Sequence, residues 1–313
     1  MQKILLIKIG ALGDVVRTTC LLRIVKGDIT WVTKINAFPL LKNNPFIREV
    51  CDIRSAHDSL HKNKYDLIVN LDEEPAACAL AGALNKKELV GAYEDRKKTV
   101  YTPSSAEWFD MGLISRFDKK TADQKKWENQ KYYQEIVFGM LGKKFNGEEY
   151  ILPYEPRAVK DENGVVGVET RSGDRWMGKR WSRFPEFLEL LKKNRVPYLK
   201  FKTFPTLEQF IHHINKTDLV VTTDSLALHI SLALRKKVLS LFTCTSFREI
   251  HGYGRMTRIV SPLIEKYFYS TDTHLKSGEA IEPQSVFEEL INLRDKKIPP
   301  FKSGTFPSLA ASL

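Results

Sequence analysis

Short apolar runs alternate with amphipathic stretches through the first part of the chain. Residues 3–9, KILLIKI, lack regular polar alternation, which is typical of a parallel strand buried on both faces. Further strands are predicted at residues 29–33, 65–71 and 89–90, with helices at 15–25 and 76–84. Because strands alternate with helices, this part predicts a parallel sheet with crossover helices.

The same alternation restarts after Leu152-Pro153-Tyr154-Glu155-Pro156, which favours an extended connection. Beyond it, strands are predicted at residues 164–168, 197–201, 218–223 and 238–242, with helices at 185–193, 207–214 and 226–234. A chain of 313 residues exceeds the usual size of one core. We therefore expect two α/β domains with a cleft between them, residues 1–155 and 156–298, followed by a loosely packed tail at 299–313.

Residues 94–129 interrupt the alternation and mix basic side chains with aromatic ones, among them Trp108. One interpretation is a solvated helical excursion, because runs of charge usually mark exposed faces. The other is a flap that binds an acceptor molecule through its aromatic rings. The pattern leaves both open, and it predicts a further helix at residues 132–141.

The chain is basic, with a formal net charge of +11 at pH 7 and an isoelectric point near 9.3. This charge suggests an anionic partner: a phosphorylated small molecule, an acidic membrane surface or nucleic acid. The sequence contains no recognisable nucleic-acid-binding module, so we do not expect nucleic acid to be the partner.

No stretch approaches the roughly 20 apolar residues that span a bilayer, and the short N-terminal run contains Lys8, which disfavours a signal peptide. The four cysteines form no Cys-x-x-Cys pair; they are Cys20, Cys51, Cys78 and Cys244. Their spacing argues against a disulfide framework and a zinc knuckle. We therefore expect a reducing, cytoplasmic environment.

The turn Gly10-Ala11-Leu12-Gly13-Asp14 directly follows the first predicted strand. It places the carboxylate of Asp14 where a buried strand ends and a helix begins, the edge at which open α/β sheets bind ligands. Asp14 is therefore a candidate general base, or else an N-cap of the helix. The spacing differs from the Gly-x-Gly-x-x-Gly dinucleotide fingerprint, and no P-loop sequence is present.

In the second part, Thr222-Thr223-Asp224-Ser225 ends a predicted strand and begins the helix that carries His229. Backbone N–H groups and hydroxyls at such a helix start can hold a diphosphate without metal. The alternatives are helix capping by Asp224 and Ser225, and a packing role for His229.

A basic loop, which contains Arg171, Arg175 and Lys179, precedes the helix at 185–193. Its cations could anchor a nucleotide, or they could form an ordinary basic surface.

The acidic cluster Asp72-Glu73-Glu74 follows the strand at 65–71. It could bind Mg²⁺ or orient acceptor hydroxyls, or it could supply favourable charge to the next helix. No Asp-x-Asp pair is present, which argues against metal-dependent sugar transfer.

Together these segments resemble glycosyltransferase family 9, which includes the lipopolysaccharide heptosyltransferases. Three features carry the resemblance: Gly10–Asp14 after the first strand, Lys179-Arg180-Trp181, and Thr223-Asp224-Ser225 with His229 followed by Val238-Leu239-Ser240-Leu241-Phe242. The resemblance covers nearly the whole chain. It implies a GT-B fold, two Rossmann-like domains facing across a cleft, and metal-independent transfer with inversion and no cofactor.

The resemblance also implies roles for individual residues. Asp14 would be the base, and the donor nucleotide and its phosphates would contact Gly13, Lys179, Thr223, Asp224, Ser225, Leu226 and His229. Asp72, Glu73 and Trp108 are candidates for acceptor binding. Three departures from the family are visible: Leu226 replaces a usual glycine, the loop at 170–179 is longer than expected, and Cys244-Thr245-Ser246 stands where many relatives have Gly-Pro-Thr.

The sequence thus predicts a glycosyltransferase that moves a sugar, heptose by analogy, from an ADP-linked donor to a phosphorylated glycolipid or saccharide such as lipopolysaccharide core. Peripheral contact with the inner membrane leaflet would suit the basic surface. Two alternatives stay open at this point. One is an epimerase-like nucleotide-sugar enzyme that uses Glu169 or His251, and the other is a non-catalytic protein that binds anionic ligands.

Overall fold

The computed structural model describes residues 1–112, 117–158, 164–270 and 275–297. The tail predicted at 299–313 lies outside the described residues. The first half contains strands β1 (Lys3–Ile7), β2 (Asp28–Thr33), β3 (Glu49–Asp52), β4 (Lys64–Asn70), β5 (Asn85–Asp95) and β6 (Lys98–Tyr101). Its helices are α1 (Leu12–Thr18), α2 (Ile53–Leu60), α3 (Pro75–Ala83), α4 (Ala106–Phe109), α5 (Lys119–Glu128) and α6 (Tyr133–Met140).

These strands form one sheet in the order β3-β2-β1-β4-β5-β6. β1 lies between β2 and β4, and four of its five residues are buried, as its uninterrupted apolar run predicts. All neighbours pair in parallel except β6, which returns antiparallel to β5 through the two-residue turn Arg96-Lys97. Both turn residues have positive φ, 48° and 63°, as two-residue hairpin turns require. The hairpin explains why the alternation of the sequence stops near residue 94.

The second half contains strands β7 (Val166–Val168), β8 (Tyr198–Lys200), β9 (Leu219–Thr223), β10 (Lys237–Phe242) and β11 (Met256–Val260). Its helices are α7 (Phe184–Lys193), α8 (Leu207–Asn215), α9 (Leu226–Ala233), α10 (Lys276–Glu279) and α11 (Pro283–Asp295). The strand order is β11-β10-β9-β7-β8, and every pairing is parallel. The two parallel sheets confirm the predicted α/β architecture.

Two differences from the predicted elements concern α1 and β3. The helix predicted at 15–25 is divided into α1 and the 3₁₀ turn Thr19–Arg23. The short strand β3 was not predicted, because only one of its four residues is buried. The predicted domain boundary at 155 and 156 falls in a segment without helix or strand, and it stays a prediction.

The two halves share one hydrophobic cluster, because α1 packs against α9. The cluster continues from Val15 and Val16 of α1 to Leu228 of α9. Since α1 follows β1 and α9 follows β9, this packing makes the carboxyl ends of the two sheets face each other. Ligands of open α/β sheets bind at these ends.

Asp72 holds the turn between β1 and α1 in place. Its carboxylate lies 2.8 Å from the Nζ of Lys8, and it accepts hydrogen bonds from the backbone N–H groups of Ile9 and Gly10. Asn70 fixes Asp72 in turn, since its side chain bonds both the N–H and the C=O of Asp72. The buried Asp72 therefore braces the turn that leads to Asp14.

We expect Asp72→Asn to lower the free energy of unfolding by about 3 kcal/mol, because it leaves the buried Lys8 ammonium without its counter-ion. Urea denaturation measures the difference. Asp66→Asn is the matched control, since Asp66 accepts a bond from the Lys3 N–H but pairs with Lys87 at the exposed surface. An equal loss in both variants would contradict the special role of Asp72.

Candidate active site

A cleft of about 550 Å³ lies between the facing ends of the two sheets. Residues of both halves line it. From the first half come Ala11, Leu12, Gly13, Asp14, Arg17 and Lys126. From the second half come Glu169, Arg171, Ser172, Gly173, Trp176, Lys179, Phe210, Asp224, Ser225, Leu226, Ala227, His229, Thr245, Ser246, Glu249, Ile250 and Tyr269. The structure thus brings Gly13 and Asp14 together with five of the six site residues predicted in the second half.

Asp14 lies in the first turn of α1, but it does not cap the helix. The N-cap is Ala11, and no side chain bonds the first-turn N–H groups. The Asp14 side chain is one-third exposed, at 33%, and forms an ion pair of 2.9 Å with Arg17. Burial raises the pKa of Asp14, but the charges of Arg17, Lys8 and Lys179 hold it below its ordinary value. Asp14 is therefore ionised at neutral pH, and the N-cap alternative is wrong.

Gly13 approaches His229 of α9 from across the cleft. A methyl group on Gly13 would lie 2.8 Å from the Cδ2 atom of His229, so only a glycine fits this contact without a shift. His229 is buried, and burial lowers its pKa to about 4, although Asp224 acts in the opposite direction. The imidazole is therefore neutral at pH 7. Its Nε2 lies 4.0 Å from Asp224, and its Nδ1 has no hydrogen-bond partner among the described residues.

Asp224 is the electrostatic centre of the second half of the cleft. Its carboxylate lies 2.8 Å from the Nζ of Lys179 and accepts a 2.7 Å hydrogen bond from the Thr245 hydroxyl. Burial raises the pKa of Asp224, but the charge of Lys179 and the hydrogen bonds from Lys179 and Thr245 together hold the pKa well below its usual range. The pair holds Lys179, predicted to bind phosphate, at the wall of the cleft.

The N-terminus of α9 is open. Its N-cap is Ser225, whose hydroxyl shares a 2.8 Å hydrogen bond with Thr222 instead of capping the helix. Leu226 follows and lines the cleft. Thr223 is buried, and it does not line the cleft. The first-turn N–H groups are therefore without a side-chain cap, and they lie at the end of the helix that favours anions.

Within the part of the chain that the structure describes, the predicted acceptor residues Asp72, Glu73 and Trp108 do not line the cleft. Asp72 lies beneath the turn, as described above. Glu73 accepts a 2.8 Å hydrogen bond from Tyr101, and burial raises its pKa. Trp108 packs edge-to-face on Tyr133, with its ring centroid 5.4 Å from the Arg17 guanidinium carbon. Trp108 thus reaches the site only through Arg17.

The cleft residues that were not predicted from the sequence include Arg17, Lys126, Glu249 and Tyr269. Arg17 lies three positions after Asp14 on one helix, a spacing that could have indicated the pair. Lys126 belongs to α5, so part of the interrupting segment 94–129 reaches the cleft. Glu249 follows β10 and carries no local signal in the sequence.

Within the described ranges, no three His, Cys, Asp or Glu residues converge in a way that could hold a metal ion. No helix in those ranges combines the length and the apolar character needed to cross a bilayer.

Residues 202–273 match the sequence model of glycosyltransferase family 9 (heptosyltransferase). The matched segment includes β9, α9 and β10, and so it carries Asp224, Ser225 and His229. This agrees with the resemblance inferred from the motifs. No curated protein sequence matches the chain.

Three solved structures similar to this chain are described as heptosyltransferases or as a family 9 glycosyl transferase. The crystal structure of the glycosyl transferase family 9 from Veillonella parvula DSM 2008 is 16% identical with a TM-score of 0.65, over 94% of this chain and 97% of that one. E. coli ADP-heptose lps heptosyltransferase II is 16% identical with a TM-score of 0.60, over 93% and 98%. E. coli heptosyltransferase WaaC with ADP-2-deoxy-2-fluoro heptose is 12% identical with a TM-score of 0.57, over 92% and 99%. These likenesses confirm the predicted GT-B fold.

Gly13→Ala tests the contact between the two halves of the chain. We expect it to lower the free energy of unfolding by about 1–3 kcal/mol, because the new methyl group displaces His229 and the packed α9. Gly139→Ala in α6 is the control, since a methyl group there meets nothing within 4 Å and an alanine favours the helix. Urea denaturation compares them, and equal stability of Gly13→Ala and the wild type would refute the tight contact.

The low pKa of His229 predicts a pH dependence of stability. Below about pH 6.5 the unfolded chain protonates this histidine, whereas the folded protein keeps it neutral until the pH approaches 4. Stability therefore falls as the pH drops through this window. We expect wild type to lose up to about 3 kcal/mol more than His229→Gln between pH 7 and pH 4. Urea titrations at several pH values measure this, and parallel pH curves for the two proteins would exclude it.

Proposed function

We propose that this glycosyltransferase moves heptose from an ADP-linked donor to a cell-envelope saccharide or phosphorylated glycolipid such as lipopolysaccharide core. The proposed reaction inverts the anomeric carbon and needs no metal. One observation carries the proposal: an ionised carboxylate, Asp14, lies across a cleft from Lys179 and an uncapped helix start. The first side suits a base, and the second suits a diphosphate.

Asp14 would remove the proton from the acceptor hydroxyl as that oxygen attacks the anomeric carbon. A positioned base of this kind contributes about 10²–10⁴-fold to the rate. Its partly exposed carboxylate faces the cleft, and the surrounding cations keep it ionised at neutral pH. Direct displacement from the opposite side of the sugar ring would invert the anomeric carbon.

The second half would hold the donor. Lys179 and the backbone N–H groups at the start of α9 would stabilise the negative charge that develops on the departing diphosphate. Asp224 and Thr245 hold the Lys179 side chain in position for this role. The donor identity is supported by E. coli WaaC, whose structures contain ADP and ADP-2-deoxy-2-fluoro heptose.

The alternative of an epimerase is weakened by its two candidate residues. Glu169 is bound by the Arg171 guanidinium through both carboxylate oxygens, at 2.8 and 2.7 Å. His251 packs among the rings of Tyr132, Phe145 and Tyr253, and it does not line the cleft. Glu169 lines the cleft with both carboxylate oxygens held by Arg171, and His251 lies outside the cleft, so the two do not form an acid and base pair around one bound sugar.

The proposal includes a place in the cell. We infer a cytoplasmic protein that contacts the inner membrane leaflet at its periphery, because a chain with a net charge of +11 is attracted to anionic lipid.

Asp14→Asn tests the proposed base. We expect ADP release from ADP-heptose, with deacylated lipopolysaccharide core as acceptor, to fall at least about a hundredfold, because the amide cannot take the proton. ADP should still raise the melting temperature as it does in wild type, since the donor pocket is intact. The assay contains EDTA, and loss of wild-type activity there would overturn metal independence. Unchanged turnover of Asp14→Asn would remove Asp14 from the chemistry.

A further inference from the structure

Glu249 belongs to the second half in sequence, but hydrogen bonds at Glu249 and at its neighbour connect it to the first half. Its backbone C=O accepts a 2.9 Å hydrogen bond from the N–H of Tyr133, the first residue of α6. The neighbouring Arg248 donates a 3.0 Å hydrogen bond to the C=O of Trp127 at the end of α5. The position of Glu249 relative to α1, α5 and α6 is therefore fixed by backbone contacts.

The Glu249 carboxylate is buried without a normal complement of hydrogen bonds. Its side chain is 4% exposed, and Oε1 accepts no hydrogen bond among the described residues. Two cations of the first half balance its charge: Lys126 lies 3.9 Å from Oε1, and Arg17 lies 3.7 Å from Oε2. A buried carboxylate held only at such distances costs stability, so stability alone does not account for it.

Arg17 is shared between two carboxylates from opposite sides of the cleft. It lies 2.9 Å from Asp14 and 3.7 Å from Glu249, and its guanidinium carbon stands 4.1 Å above the ring of Tyr133. The ring leaves the guanidinium little freedom except to move towards one carboxylate or the other. Glu249 therefore competes with Asp14 for the charge of Arg17.

We propose that Glu249 is a positioning residue for the base: it shares the charge of the Arg17 guanidinium, which would otherwise pair with Asp14 alone, so that Asp14 can accept the proton of the acceptor hydroxyl. The inference rests on the proposed role of Asp14. A carboxylate in an exclusive pair with arginine is a weaker base, and its oxygens are less available to a substrate. Glu249 itself does not touch the substrate.

The charges around Asp14 support this reading. Burial raises its pKa, and Arg17 heads the cations that lower it, ahead of Lys8 and Lys179. The charge of Arg17 is thus the largest single charge effect on Asp14. Loss of Glu249 leaves the Arg17 guanidinium to pair with Asp14 alone and removes a like charge, and both changes lower the pKa of Asp14.

The test compares Glu249→Gln, Arg17→Gln and the double variant, with ADP-heptose as donor and deacylated lipopolysaccharide core as acceptor. We expect Glu249→Gln to lower kcat about three- to tenfold, with the affinity for ADP unchanged. Its acid limb in the pH profile of kcat should move to lower pH or out of range. Arg17→Gln should move that limb to higher pH, because Asp14 then loses its main cation. In the Arg17→Gln background, Glu249→Gln should have less than about a twofold effect.

Glu149→Gln is the matched control. Glu149 also forms an ion pair with the second half, 2.9 Å from Arg255, but it lies outside the cleft. Its kcat and pH profile should equal those of wild type. The inference is overturned if the acid limb of Glu249→Gln moves to higher pH, or if Glu249→Gln loses as much activity with Gln at position 17 as with Arg. If Asp14→Asn retains full turnover, the proposed function fails instead, and the two failures are distinguishable.

Discussion

The close contact between Gly13 and His229 is the constraint on which the cleft depends. It lets α1 and α9 pack against each other, and it thereby places the carboxyl ends of the two sheets face to face. Asp14 follows Gly13 directly, so the same contact sets the distance between the first-half carboxylate and the second-half pocket. A side chain at position 13 would separate the two halves at the point where the chemistry needs them together.

Because of this packing, the same positive charges affect the protonation of Asp14 and of His229 in opposite ways. Asp14 and His229 lie among the same cations, of which Arg17 and Lys179 act on both. Positive charge favours an ionised carboxylate and disfavours a protonated imidazole. The cleft therefore holds Asp14 charged and His229 neutral across the neutral pH range. Among the described lining residues, four basic side chains face four carboxylates, so the excess positive charge of the chain lies outside the cleft.

The sequence predicted those elements whose burial is visible as a local run of apolar residues. β1 and β9 are buried along nearly their whole length and appear as uninterrupted apolar runs, and each is followed at once by a motif that lines the cleft. Asp14, Lys179 and Asp224 were thus within reach of local reasoning. The cleft as a whole was not, because its closure depends on contacts between distant segments. Glu249 meets Arg17 and Lys126 only through the fold, and Asp72 is drawn from the acidic cluster to Lys8 by the pairing of β1 with β4.

The start of α9 connects the fold to the proposed chemistry. A helix start needs partners for its first N–H groups, and Ser225 does not supply one because its hydroxyl bonds Thr222. Leu226 lines the cleft with an apolar side chain where a glycine is usual in the resembled family. The helix start and Lys179 border the same cleft. An anionic group bound there would complete the helix and would draw Lys179 from Asp224, so donor binding and the rearrangement of this ion pair would be one event.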